Sequence, residues 1–169
     1  KCDLLENDEV EGAIELIMDR LGGPHVWINA VGGFTMGNKI EDCVNEWDKM
    51  YQLNFKTTLN SVKNILPVMK ENGFGRIINF GSRAGEKGMA LAGPYSISKA
   101  SIHNLTKTLA LECNGNITCN AVLPEIIDTP ANREAMPNAH FNSWTPPISI
   151  ADKIETIIKS NSNGQLILV

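Results

Sequence analysis

Two hydrophobic periods alternate along the chain, and that alternation lays out its elements. Val10, Ala13, Ile14, Ile17, Met18 and Leu21 recur at helical spacing, which predicts a helix that Gly22-Gly23-Pro24 stops. Asn7 is placed to cap it, and Asp8 and Glu9 suit the positive end of the helix dipole. Residues 25–30 (HVWINA) read as a buried strand. A second helix spans about 45–70, with Trp47, Met50, Tyr51, Leu59, Val62, Leu66 and Met69 in its stripe. Pro67 is expected to kink that helix or end it early. Residues 76–80 are mostly Ile and Phe with little alternation, as in a strand covered on both faces. A loop then runs through Gly81, Ser82, Gly85, Gly88 and Gly93, and Pro94 opens a helix. The remaining pattern gives a strand near 117–122, a Pro-rich loop to about 147, a helix near 150–159 and a closing strand at 165–169.

Strands alternating with helices predict an α/β fold, a parallel sheet with helices on both faces, as one domain over residues 1–169. Only four strands are clear. The 169 residues, 43% hydrophobic and 20% charged, suffice for one core. A net charge of −4 with no basic cluster argues against nucleic-acid or anionic-membrane partners. No apolar run approaches the ~18 residues of a membrane span. Cys2, Cys43, Cys113 and Cys119 form no Cys-x-x-Cys pair and fit reduced, mostly buried thiols, so a cytoplasmic protein is expected. His25, His103 and His140 have no metal-ligand spacing; His103, one turn after Lys99, could edge the site, but a surface position is the preferred reading. No metal site is expected.

The chemistry concentrates in residues 75–112. Ser82 sits at the carboxyl end of a predicted strand, where ligands bind in open parallel sheets. Tyr95 and Lys99 lie i and i+4 on the following helix and share a face. A phenol titrates near ~10, and a lysine cation one turn away is expected to lower that value. A serine hydroxyl can hold a substrate carbonyl or alcohol against the phenol. The set suits protonating a forming alkoxide or deprotonating an alcohol, with a hydride donor such as a nicotinamide supplying the electrons. Tyr-x-x-x-Lys alone also occurs on ordinary solvated helix faces; the serine thirteen residues upstream makes the match specific.

With those residues the sequence resembles the short-chain dehydrogenase/reductase family over nearly its whole length. The resemblance implies a Rossmann-like doubly wound parallel sheet and an NAD(P)(H)-dependent oxidoreductase, with the choice between NAD and NADP open. It implies Tyr95 as general acid/base, Lys99 as its modulator and ribose ligand, and Ser82 as carbonyl orienter. Asn54 would kink its helix, and its carbonyl would hold a water chain to Lys99. Asn29-Ala30-Val31-Gly32 resembles the family's Asn-Asn-Ala-Gly turn at the cofactor, with Val31 inserted. Residues 123–129 resemble the Pro-Gly-x-x-x-Thr segment, so Pro124 and Thr129 would contact the nicotinamide carboxamide. Glu125 replaces the usual glycine there and adds a carboxylate able to partner substrate. Asp3 resembles the acidic residue that contacts the adenine.

Residues 128–146 resemble the substrate lid of dihydropteridine reductases and related bacterial reductases. Met136, Phe141 and Trp144 would then cover substrate, or Phe141 and Trp144 would pin the loop to the core. Animal dihydropteridine reductases lack the serine present here as Ser82, so an ordinary carbonyl reductase is favoured as much as a pterin enzyme. The family's Thr-Gly-x-x-x-Gly-x-Gly turn does not occur in these residues. About 60 residues carrying it are expected ahead of Lys1, and without them an exposed strand edge should favour aggregation. A homodimer or homotetramer through the two long helices is implied. The alternative is a non-catalytic fragment or paralogue that keeps the fold as an assembly surface.

Overall fold

In the computed structural model, residues 1–113 and 115–169 are described. Four strands form one wholly parallel sheet in the order β1 (Val26–Asn29), β2 (Gly75–Phe80), β3 (Ile117–Leu123) and β4 (Leu166–Leu168). The register pairs Asn29 with Asn79 and Phe80 with Val122. Helices α1 (Asn7–Leu21), α3 (Thr57–Asn72) and α5 (Gly93–Glu112) cover one face. There Val10, Ile14, Ile65, Met69 and Leu109 pack on Ile77 and Cys119. Helix α7 (Pro147–Ile158) covers the other face, where Ile150, Ile154 and Ile157 meet Ile78 and Val122. Successive side chains of β2 therefore enter different cores, which is why its sequence does not alternate. The β3–α7–β4 crossover uses the opposite face from the first two while advancing the same way, so its hand is opposite to theirs.

The long predicted helix has three parts: α2 (Glu46–Met50), a π-helical turn (Tyr51–Lys56) and α3. The extra residue of the π turn rotates the buried face, so Tyr51 is exposed while Asn54, Thr57, Thr58 and Ser61 turn inward. The Thr57 hydroxyl donates to the Leu53 carbonyl at 2.8 Å and Thr58 to that of Asn54 at 3.2 Å, partnering carbonyls along the widened turn. Pro67 does not end α3, which runs on to Asn72. The proline faces solvent, which hydrates the carbonyl left without its donor, and buried Met69 anchors the helix beyond it. Asn7 is not the cap of α1; Glu6 takes that position, and the Asn7 Oδ1 accepts from Asn64. Leu21 is 82% exposed, because α1 packs on the core through Val10 and Ile14. The Pro-rich loop holds two short elements, α6 (Pro130–Ala135) and a 3₁₀ turn (Phe141–Ser143). No helix among the described residues is long and apolar enough to cross a membrane. All four cysteines are free, three of them buried.

Candidate active site

Strand β2 ends where the candidate chemistry begins. Gly81 donates its N–H to Val122 of β3, and Ser82 leaves the sheet into the short helix α4 (Ala84–Lys87). The Ser82 Oγ accepts the Ala84 N–H at 3.2 Å. Gly85 lies directly on α5: a Cβ there would stand 2.8 Å from the Ala100 nitrogen and the Lys99 carbonyl carbon. This close approach brings the serine loop against the opening turns of α5, which carry Tyr95 and Lys99.

Lys99 is buried and donates from Nζ to the Phe80 carbonyl at 2.8 Å, tying α5 to the end of β2. Burial disfavours its charge and lowers its pKa from 10.5 to about 8. Tyr95 departs from expectation: burial raises its pKa, and a hydrogen bond with the Ser82 hydroxyl opposes the rise without cancelling it. The lysine does not lower it, because Nζ is turned to Phe80 and stands 6.0 Å from the centre of the phenol ring. Phe34 meets the same ring edge-on with centroids 4.8 Å apart.

Asn54, 1% exposed within the π turn, fixes the turn after β1. Its Oδ1 accepts the Gly33 N–H at 2.8 Å and its Nδ2 donates to the Gly33 carbonyl at 3.1 Å and the Ser98 Oγ at 2.9 Å. Ser98 in turn donates to the Tyr95 carbonyl at 2.7 Å. One amide thus links the glycine turn to the tyrosine helix, and Ser98 is a link the sequence did not single out. A Cβ on Gly32 would stand 2.7 Å from Asn54 Oδ1 and 3.5 Å from Lys99 Nζ, so only glycine leaves this approach open. Asn29 sits one turn deeper. Its Nδ2 donates to Asn79 Oδ1 at 2.8 Å, and Asn79 donates to Thr106, joining β1, β2 and α5. Ala30 and Gly32 are exposed beyond it.

Pro124 is buried after β3, and Thr129 caps α6 by accepting the Asn132 N–H at 3.2 Å. Glu125 forms an ion pair with Arg83, joining the serine loop to the segment after β3. Asp3 is exposed, its Oδ1 taking the Leu5 N–H at 2.9 Å. Leu4, Ala30 and Val31 share a cleft of about 90 Å³ with Thr57, Thr58 and Ser61. Trp144, 6% exposed, packs edge-on against Phe141 and pins its loop to the body of the protein. His103 corrects the expectation of a surface residue: it is 5% exposed, and its Nε2 accepts the Ser82 N–H at 3.2 Å. The i+4 spacing from Lys99 was the available signal.

Comparison with known proteins gives this geometry a lineage. The short-chain dehydrogenase family model matches residues 1–140. The D-beta-hydroxybutyrate dehydrogenase of Rhizobium meliloti is 31% identical over 139 residues, covering 81% of this chain and 54% of that protein. The chain thus spans about half the length of the curated relatives it matches. A structure of ElxO with NADP bound superposes with a TM-score of 0.91 at 21% identity, covering 99% of this chain and 74% of that one. The ligand-free aldohexose dehydrogenase of Thermoplasma acidophilum superposes at 0.90 with 25% identity, covering 100% of this chain and 75% of that one. The chain belongs to the short-chain dehydrogenase family.

Proposed function

From that membership we propose a cytoplasmic, NAD(P)(H)-dependent oxidoreductase that interconverts a carbonyl and an alcohol, with 3-oxoacyl or pterin-like compounds among its candidate substrates. The observation that carries the reading is the convergence of Ser82, Tyr95 and buried Lys99 at the carboxyl end of β2. The residues fit the nicotinamide end of a dinucleotide: Gly32 keeps backbone open beside Lys99, whose ammonium spends one of three N–H groups on Phe80. The remaining two suit ribose hydroxyls. Thr129 keeps its hydroxyl proton for a carboxamide, beside Pro124; Asn29 and Ala30 shape the turn, and Asp3 would meet the adenine. When bound, the dinucleotide supplies or accepts the hydride. Ser82 holds the substrate oxygen, and Tyr95 gives it a proton as the alkoxide forms. The phenol, whose pKa burial raises further above its ordinary value, is protonated at neutral pH and available as the proton donor. Asn54 positions the glycine turn and, through Ser98, the tyrosine.

Consumption of NADH and NADPH with 3-oxoacyl thioesters, simple ketones, steroids and pterins tests the reading. Tyr95→Phe should abolish turnover and leave cofactor affinity within a few-fold; full activity in that variant overturns the assignment. A homodimer or homotetramer would form across the long helices, where Tyr51 and Ile97 are exposed. The second reading is a non-catalytic fragment or paralogue that keeps the fold as an assembly surface. A chain that fails to bind either dinucleotide would favour it.

A further inference from the structure

His103 is a buried, titratable side chain to which neither the proposed chemistry nor the family match gives a task. It lies on α5 one turn beyond Lys99, with its ring against the turn that carries Ser82. Two glycines make room for it. A Cβ on Gly81 would stand 2.5 Å from its Nε2, and one on Gly85 would stand 2.8 Å from its Cε1. The imidazole therefore occupies the space that side chains at both positions would fill. Its Nε2 accepts the Ser82 N–H, so the neutral ring carries its proton on Nδ1.

The geometry points to His103 as the positioning residue for Ser82: by accepting the serine amide it fixes the backbone from which the hydroxyl reaches substrate. This rests on the role proposed above for Ser82. The ring itself touches no reacting atom. Placement matters because a displacement of about 1 Å at a reacting group can cost up to ~10²-fold in rate. Protonation would reverse the contact, turning Nε2 into a donor facing the Ser82 donor. Burial opposes that protonation, with Lys107 and Lys99 acting the same way from α5 and Glu86 of α4 acting against them. Serine placement should then be lost as pH falls below the ordinary histidine value of 6.5.

The test compares the unaltered protein with His103→Gln, whose amide oxygen can accept the same N–H, and with His103→Leu, which cannot. His103→Leu should lose kcat by about tenfold or more with the dinucleotide KM unchanged, while His103→Gln recovers most of it and lacks the acid limb below 6.5. In a double-mutant cycle, Ser82→Ala with His103→Leu should be no slower than Ser82→Ala alone. Multiplying losses, or an unchanged acid limb in His103→Gln, would overturn the proposal. Nitrogen NMR of the unaltered protein needs no turnover: Nε2 should carry no proton at pH 8, and a protonated Nε2 refutes the contact. A protein that lacks reductase activity yet shows this tautomer would refute the catalytic reading and leave the contact standing.

Discussion

Replacing Lys99 by methionine separates what the fold needs from what the site needs. Lys99 is held in a buried position, and its pKa of about 8 against 10.5 means the folded state resists its charge. At roughly 1.4 kcal/mol per pH unit, that difference makes the charged side chain cost the fold about 3 kcal/mol below pH 8. Between pH 8 and 10.5 the unfolded chain binds the proton more tightly than the folded one. Stability from this group therefore rises with pH across that window, and the cost is gone above 10.5. Methionine has similar length, no charge and no titration. Lys99→Met should then be more stable than the parent at pH 7, less whatever the bond to Phe80 contributes, and the gap should narrow by about 3 kcal/mol towards pH 10.5. Urea unfolding of both proteins from pH 7 to 10.5 reads the gap, and the same variant should be inactive. Stability curves that run parallel across that range would refute the reasoning.

Other residues give independent tests. Asn54→Ala removes a buried amide's hydrogen bonds to Gly33 and Ser98 and leaves both short of partners; a loss of about 2–4 kcal/mol is expected by urea unfolding, with weakened dinucleotide binding. Gly32→Ala places a Cβ within 2.7 Å of Asn54 Oδ1 and 3.5 Å of Lys99 Nζ, so dinucleotide affinity by fluorescence titration should fall. Arg83→Ala breaks an exposed ion pair with Glu125 and should change stability by less than about 1 kcal/mol, read as a thermal midpoint.

What the sequence reveals and what it hides divide along physical lines. The alternation of strands and helices is legible because Ile77 and Ile78 need two cores, and an unalternating strand says so. Tyr95 and Lys99 are legible because four-residue spacing puts them on one helix face. The irregularity at Asn54 is legible only through the family resemblance, because the amide's partner Gly33 lies twenty-one residues away. The burial of His103 is not legible, since a polar residue is admitted there only because Gly81 and Gly85 leave its space. Pro67 misleads because a proline facing water loses little when its carbonyl partner is hydrated. The direction of the Tyr95 shift misleads because sequence shows the nearby lysine and not the carbonyl that occupies it.

Isotope transfer tests the central claim most directly. The protein and Tyr95→Phe would each be given NADPH deuterated at either C4 position, with the ketone turned over fastest, and the alcohol product weighed by mass spectrometry. One label position should deliver deuterium to the alcohol carbon in the unaltered protein, and neither should in Tyr95→Phe, although that variant still binds the dinucleotide. Deuterium delivered equally by Tyr95→Phe, or consumption of NADPH with no label in the alcohol, would contradict hydride transfer assisted by Ser82, Tyr95 and Lys99.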